Sequence, residues 1–205
     1  MYIKNDRSEL IFSLLDDISG IKVITDLGCM DGATLNGMAS KMPLDVDYFG
    51  VDHVNSSFDP NSDVVSYKEC DLNSNLSELQ NILMKTDLLL LLDVLEHLYN
   101  PEKFLSDIQK LMKPRSTMVI TVPNASSVRK LYAWLINDFP REDIGYFDRT
   151  HRSWFTPKSL QKITPEDFYV NKTGYIYSKK VAFSFFQKLL PSRFTSQFFI
   201  KITKK

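Results

Sequence analysis

The 205-residue chain is 43% hydrophobic and 24% charged, and its 25 Lys+Arg balance 25 Asp+Glu. That length suits one sizeable core and is short for two, while the zero net charge offers no field to draw nucleic acid or an anionic membrane. Two cysteines, Cys29 and Cys70, are too few for a disulfide framework and sit in no metal-ligand spacing. No metal is therefore expected. The first residues lack a basic stretch ahead of an apolar one, and the longest apolar run, Leu88–Leu92, is far short of a membrane span. A reduced, cytoplasmic protein is the expectation.

Residues 6–18 place Leu10, Ile11, Leu14 and Leu15 at helical spacing, which predicts an amphipathic helix ended by Ser19-Gly20. Ile21–Asp26 reads as a first strand and Asp31–Met42 as a crossover helix with Leu35, Met38 and Ala39 inward. Tyr48–Asp52 is a second strand, residues 53–62 are polar and turn-rich, and Val64–Tyr67 is a third strand leading to Cys70-Asp71-Leu72. A helix over Leu76–Met84 precedes the run Asp87–Leu92, whose unbroken apolar character predicts a strand buried on both faces of a parallel sheet. Asn100-Pro101 caps a helix carrying Phe104, Leu105, Ile108, Leu111 and Met112, and Thr117–Val122 is a fifth strand. This rhythm predicts a doubly wound, mostly parallel α/β sheet.

Beyond Pro123-Asn124, Ser126–Asn137 reads as a helix with an apolar stripe of Val128, Leu131, Tyr132 and Leu135. Residues 138–155 are irregular and rich in aromatics, among them Phe139, Tyr146, Phe147, Trp154 and Phe155. Thr156-Pro157 starts a further helix, and Phe168–Tyr177 with Gln197–Thr203 are two closing antiparallel strands. Residues 1–205 thus form one domain, with 124–155 expected to cover the substrate. The Phe- and Leu-rich stretch 181–199 is expected to be mostly buried, with a dimer partner, a lipid-linked substrate or a membrane surface as alternatives.

Four predicted strand ends carry polar groups: Asp26-Leu27-Gly28, Asp52, Asp71, and Asp93 through His97. In a parallel sheet such ends converge on the edge where ligands bind. Gly28 and Gly32 allow close approach of backbone to ligand, and Asp52 stands 20 residues beyond Gly32, the spacing of an acid that accepts from ribose hydroxyls. Asp71 can accept from an exocyclic amine or merely cap a helix. Met30 occupies the middle-glycine position of a dinucleotide loop, and no glycine stands three residues beyond Gly32, so the loop is too crowded for a pyrophosphate.

The turn Asp26 to Gly32 (D-L-G-x-x-x-G), Val51-Asp52, Cys70-Asp71-Leu72 and above all the block Leu91–Leu105 (L-L-D-V-L-E-H-L-Y-N-P-E-K-F-L) resemble the class I S-adenosylmethionine-dependent methyltransferases. The Lys113-Pro114 and Val122-Pro123-Asn124 that follow fit the same family. Asp148 to Thr156 is similar to the D-x-T-H-x-x-x-F-T stretch of a subgroup acting on small molecules, quinone precursors and surface-polysaccharide sugars. The resemblance implies a seven-stranded Rossmann-like sheet and SN2 transfer of a methyl group from S-adenosylmethionine, leaving S-adenosylhomocysteine. It implies cofactor contacts from Asp26, Gly28, Cys29, Met30, Gly32, Asp52, His53, Asp71, Leu72, Asp93 and Glu96. The acceptor it implies is a small molecule, most readily a sugar hydroxyl, with His151 and His97 as candidate general bases. Met30 departs from the glycine common in the family. Two rivals stay open: a non-catalytic partner subunit, and a nicotinamide-dependent oxidoreductase.

Overall fold

A computed structural model describes residues 7–43, 45–53, 65–143, 145, 147–177 and 184–205. Seven strands form one sheet in the order β3-β2-β1-β4-β5-β7-β6. They are β1 (Val23–Leu27), β2 (Asp47–Asp52), β3 (Val65–Glu69), β4 (Leu88–Leu92), β5 (Thr117–Pro123), β6 (Phe168–Ile176) and β7 (Gln197–Lys204). The first five are parallel, and β7 runs antiparallel to both β5 and β6. The sequence's fold class is therefore the observed one. The closing pair is joined through two short helices, α7 (Ser184–Leu189) and α8 (Pro191–Phe194), so β7 inserts between β5 and β6.

Strand β4 shows why this sheet lies at the centre. All five of its residues are leucine, and they alternate between two cores: Leu89 and Leu91 join Phe104, Leu105 and Ile108 on one face, Leu88 and Leu90 join Ile11, Leu35 and Met38 on the other. The period-two geometry of a strand sends neighbours to opposite faces, so a strand covered on both sides must be apolar throughout. The covering helices are α1 (Ser8–Leu14) and α2 (Ala33–Ala39) on one face, and α4 (Pro101–Leu111) and α6 (Pro157–Ile163) on the other. Both of the latter begin as expected. The Asn100 side chain accepts from the Lys103 N–H with Pro101 at the first turn, and Thr156 and Ser159 form a reciprocal capping box.

Several expected boundaries contract. The first helix spans Ser8–Leu14 rather than 6–18, and the Leu76–Met84 segment splits into a 3-10 turn (Leu76–Leu79) and α3 (Gln80–Leu83). Expectations for Asp6, Val64, residues 54–62, Tyr146 and Phe183, and for the side chains of Phe185 and Phe186, fall outside the described residues. Phe198 and Phe199 are buried as expected, whereas Leu189 and Leu190 are exposed. Helix α5 spans Val128–Leu135 rather than 126–137; its apolar stripe of Val128, Leu131, Tyr132 and Leu135 is exposed, and Lys130 and Ala133 are the buried positions. Lys130 turns inward because its ammonium stands 3.7 Å from the centre of the Trp154 ring, near the Glu96 carboxyl.

Candidate active site

The strand order reverses between β1 and β4, so the carboxyl ends of these two strands open the crevice of the sheet. The chain leaves β1 through an unusual turn. Gly28 (φ 82°), Met30 (φ 49°) and Gly32 (φ 74°) all adopt left-handed backbone. The Gly28 and Cys29 N–H groups both donate to the Val51 carbonyl, at 2.7 and 3.2 Å, and the Met30 N–H donates to Asp52 Oδ2 at 2.9 Å. Asp52 thereby braces the turn from the end of β2. Its other oxygen accepts from the His53 N–H at 2.7 Å and lies 3.0 Å from the exposed His53 ring.

Gly28 has a structural reason beyond ligand approach. A Cβ there would lie 2.5 Å from Cγ2 of Val94, the residue just past β4. The missing side chain lets the two strand ends come together. Met30 is the family's departure and the only non-glycine in this group of left-handed residues, which costs an L-residue about 1–2 kcal/mol. Since Met30 is half exposed and packs little, Met30→Gly is expected to leave thermal stability unchanged or to raise it by up to about 1 kcal/mol. A fall of several degrees in the melting temperature would mean that the methionine side chain, not the turn, holds this loop.

Asp26 is buried at the end of β1, and its Oδ1 has no hydrogen-bond partner among the described residues. Burial pushes its carboxyl up to about 8; nearby Arg7 opposes that and Asp52 adds to it. A buried neutral acid with one oxygen unbonded at a sheet's carboxyl edge can ionise against a cation brought beside it. Cys29 is buried and its thiol is pushed far up by burial, so it does not act as a nucleophile. Asp71 is exposed and begins a turn, with Oδ1 accepting from the Asn73 N–H at 2.9 Å, while Leu72 packs against the core.

Asp93 also has left-handed backbone (φ 58°), reversing the chain after β4. Its carboxylate forms an ion pair with Arg7 and accepts from the Thr121 hydroxyl at 3.1 Å and the Gln197 amide at 2.7 Å. Arg7 precedes α1, and α1 is fastened to the sheet by Lys201, whose ammonium donates to the Leu14 carbonyl at 2.9 Å and to Asp16. Neither Arg7 nor Gln197 is marked in the sequence: they come from the two ends of the chain and meet only through the fold.

The Glu96-His97 block lies one turn beyond. The Glu96 carbonyl accepts from the Arg152 N–H at 2.7 Å and the Ser153 N–H at 3.1 Å, which draws the distant 148–153 segment onto the end of β4. That contact stacks the His151 ring edge-on against His97, centroids 4.8 Å apart. One ligating atom from each of Glu96, His97 and His151 lies within 4.8 Å of the others. His97 is braced from behind: the Thr150 hydroxyl lies 2.9 Å from its Nδ1 and 2.6 Å from Asp148 Oδ1. With the hydroxyl hydrogen committed to the carboxylate, Nδ1 is the donor, and Nε2 carries the free lone pair.

Both Glu96 oxygens are buried without a hydrogen-bond partner among the described residues, and burial, with Asp93 nearby, pushes the carboxyl well up. Burial lowers Lys130 to about 7 despite Glu96, and lowers His151 to about 4 with His97 adding to the effect. The unfolded chain takes up the His151 proton near pH 6.5 and the folded chain only near 4, so this residue lowers stability as pH falls through that window. Phe139, Phe147 and Trp154 pack edge to face beside it, with Phe147 buried and Trp154 partly exposed.

These strand ends, the left-handed turn and Asp52 gather at the carboxyl edge of a Rossmann-like sheet. A family model described as "Methyltransferase domain" matches residues 4–166, and the chain belongs to that family. Its donor is S-adenosylmethionine and its product S-adenosylhomocysteine, so the oxidoreductase and the non-catalytic subunit both give way to a methyltransferase. Among solved structures, a SAM-dependent methyltransferase from Archaeoglobus fulgidus is similar over 97% of this chain and 92% of its own, with 21% identity and a TM-score of 0.63. One from Mesorhizobium loti is similar over 97% of both chains, with 12% identity and a TM-score of 0.64. A cyclase shares the fold as well, over 96% of this chain and 80% of its own, with 11% identity and a TM-score of 0.65. Such likenesses describe the fold and leave the acceptor open. Comparison with curated proteins gives no match.

Proposed function

We propose that the protein methylates a hydroxyl group of a sugar or a comparable small metabolite, in the setting of surface-polysaccharide synthesis. The observation that carries this reading is the His97 arrangement. A hydroxyl is a poor nucleophile until it loses its proton, and the Asp148–Thr150–His97 relay holds an imidazole in the tautomer that accepts one. His151, depressed to about 4, is the weaker base. It stands beside His97 as a neutral ring able to hydrogen-bond the acceptor.

S-adenosylmethionine supplies an activated methyl group to an in-line nucleophile. The turn from Gly28 to Gly32, with Cys29 and Met30, forms the wall against the cofactor's ribose side. Asp52 accepts from the ribose hydroxyls, while His53, Asp71 and Leu72 border the base. Asp26 receives the amino group of the methionine portion, and Asp93 and Glu96 close the site toward the acceptor. Residues 124–155 cover the acceptor side, and the exposed apolar residues of α5 would carry a lipid-linked form of that acceptor.

Incubation with methyl-labelled S-adenosylmethionine and a panel of sugars, phenols, amines and thiols tests this reading. Label is expected on oxygen. His97→Ala should lower turnover by about 10²–10⁴-fold while S-adenosylhomocysteine affinity stays the same. Transfer confined to amines or thiols, or a near-normal rate in His97→Ala, contradicts it.

A further inference from the structure

The His97 site holds more acceptors than a base requires. Proton abstraction needs one lone pair. Here Glu96 contributes two buried oxygens without hydrogen bonds, and His151 a buried Nδ1 in the same state, all among the described residues. His97 adds an Nε2 whose lone pair is freed by the bond behind it. Buried polar atoms without partners lack the hydrogen bonds they gave up in water, a cost of about 1–3 kcal/mol for each group. Something positive belongs between them.

We propose that Glu96, His97 and His151 hold a first-row divalent cation. Ligating atoms of the three residues lie within 4.8 Å of one another. Around an ion with bonds of about 2.1 Å, tetrahedral ligands stand about 3.4 Å apart and opposed ones about 4.2 Å. Closure by about an ångström therefore completes the shell. Two imidazoles and one carboxylate suit the range from Mn²⁺ to Zn²⁺ rather than Ca²⁺ or Mg²⁺, which prefer all-oxygen shells. Three protein ligands leave a coordination position open, the pattern of catalytic rather than structural sites. The Asp148–Thr150–His97 relay is also the outer bracing that metal-bound histidines need.

The competing cation is the protein's own Lys130, which is buried and interacts electrostatically with Glu96. It is already seated on the Trp154 ring at 3.7 Å. An ammonium seated on that ring leaves His151 Nδ1 buried without a hydrogen bond among the described residues. The consequence for catalysis rests on the proposed hydroxyl acceptor. An ion with that hydroxyl in its open position would make it acidic, the proton passing to solvent water, and His97 would act as a ligand rather than as the base.

Cobalt(II) is the probe, since it reports its coordination by visible absorption. The whole protein, stripped with a chelator and titrated with Co²⁺ without acceptor or cofactor, should take up one ion per chain, displaced by Zn²⁺. His151→Ala and Glu96→Gln should each weaken Co²⁺ binding by about 100-fold or more, and Thr150→Ala by about 10-fold. Asp107→Asn, on the far helix α4, should leave it unchanged. Should Glu96→Gln fail to fold, the partly exposed His151 decides, with retained S-adenosylhomocysteine binding showing an intact fold. Absence of Co²⁺ uptake at millimolar concentration, or uptake equal in wild type and His151→Ala, overturns the proposal. Because cofactor binding is read separately on the stripped protein, failure of the metal site leaves the methyltransferase reading standing.

Discussion

Asp26→Asn is expected to raise the stability of the ligand-free protein at pH 7 by about 2–4 kcal/mol and, in the same variant, to weaken S-adenosylhomocysteine binding by about 10–100-fold. The reason is the mismatch between folded and unfolded states. The unfolded carboxyl titrates near 3.8 and the folded one near 8, because burial disfavours its charge. Stability from this group is therefore full below pH 3.8 and is lost as pH rises through 8. At pH 7 about three pH units separate the unfolded value from the solution, equivalent to about 4 kcal/mol at 1.36 kcal/mol per unit. Asparagine has the same shape and no proton to keep, so most of that penalty disappears. The variant also loses the carboxylate that the cofactor's ammonium would restore. Paired urea-unfolding curves and cofactor titrations read both effects, and a variant equal to or less stable than wild type at pH 7 contradicts the assignment.

Gly28→Ala is expected to cost about 2–5 kcal/mol. Left-handed backbone at φ 82° contributes about 1–2 kcal/mol for any residue with a Cβ. The 2.5 Å approach to Val94 Cγ2 contributes a further 1–3 kcal/mol, about what overpacking costs in a filled core. The two contributions separate in a double-mutant cycle. Adding Val94→Ala removes the clash and should recover about 1–3 kcal/mol, leaving the backbone part. If the two substitutions simply add, the glycine is required for its conformation alone.

Much of the scaffold was legible because strands and their ends are local. The five leucines of β4, the acids closing β1 and β2, and the Asn100 and Thr156 caps each state their own structure within a few residues. The Glu96-His97 block was legible as chemistry but not as geometry. Its meeting with His151 depends on the Arg152 and Ser153 N–H groups docking on the Glu96 carbonyl, a contact across more than fifty residues that no local pattern encodes. Arg7 and Gln197, which hold Asp93, escaped notice for the same reason: each is an ordinary polar residue until the fold brings chain ends together. Helix α5 was legible as a helix but not in its orientation: its apolar stripe is exposed, and a buried lysine on an aromatic ring fixes the face turned inward.

Calorimetric titration of the wild-type protein with S-adenosylhomocysteine at pH 7, repeated in buffers of different ionisation enthalpy, is the most direct measurement. One site per chain is predicted, with release of up to about one proton as Asp26 ionises against the incoming ammonium. Absence of binding at millimolar ligand would contradict the cofactor site at this sheet edge, and binding without proton release would remove Asp26 from it.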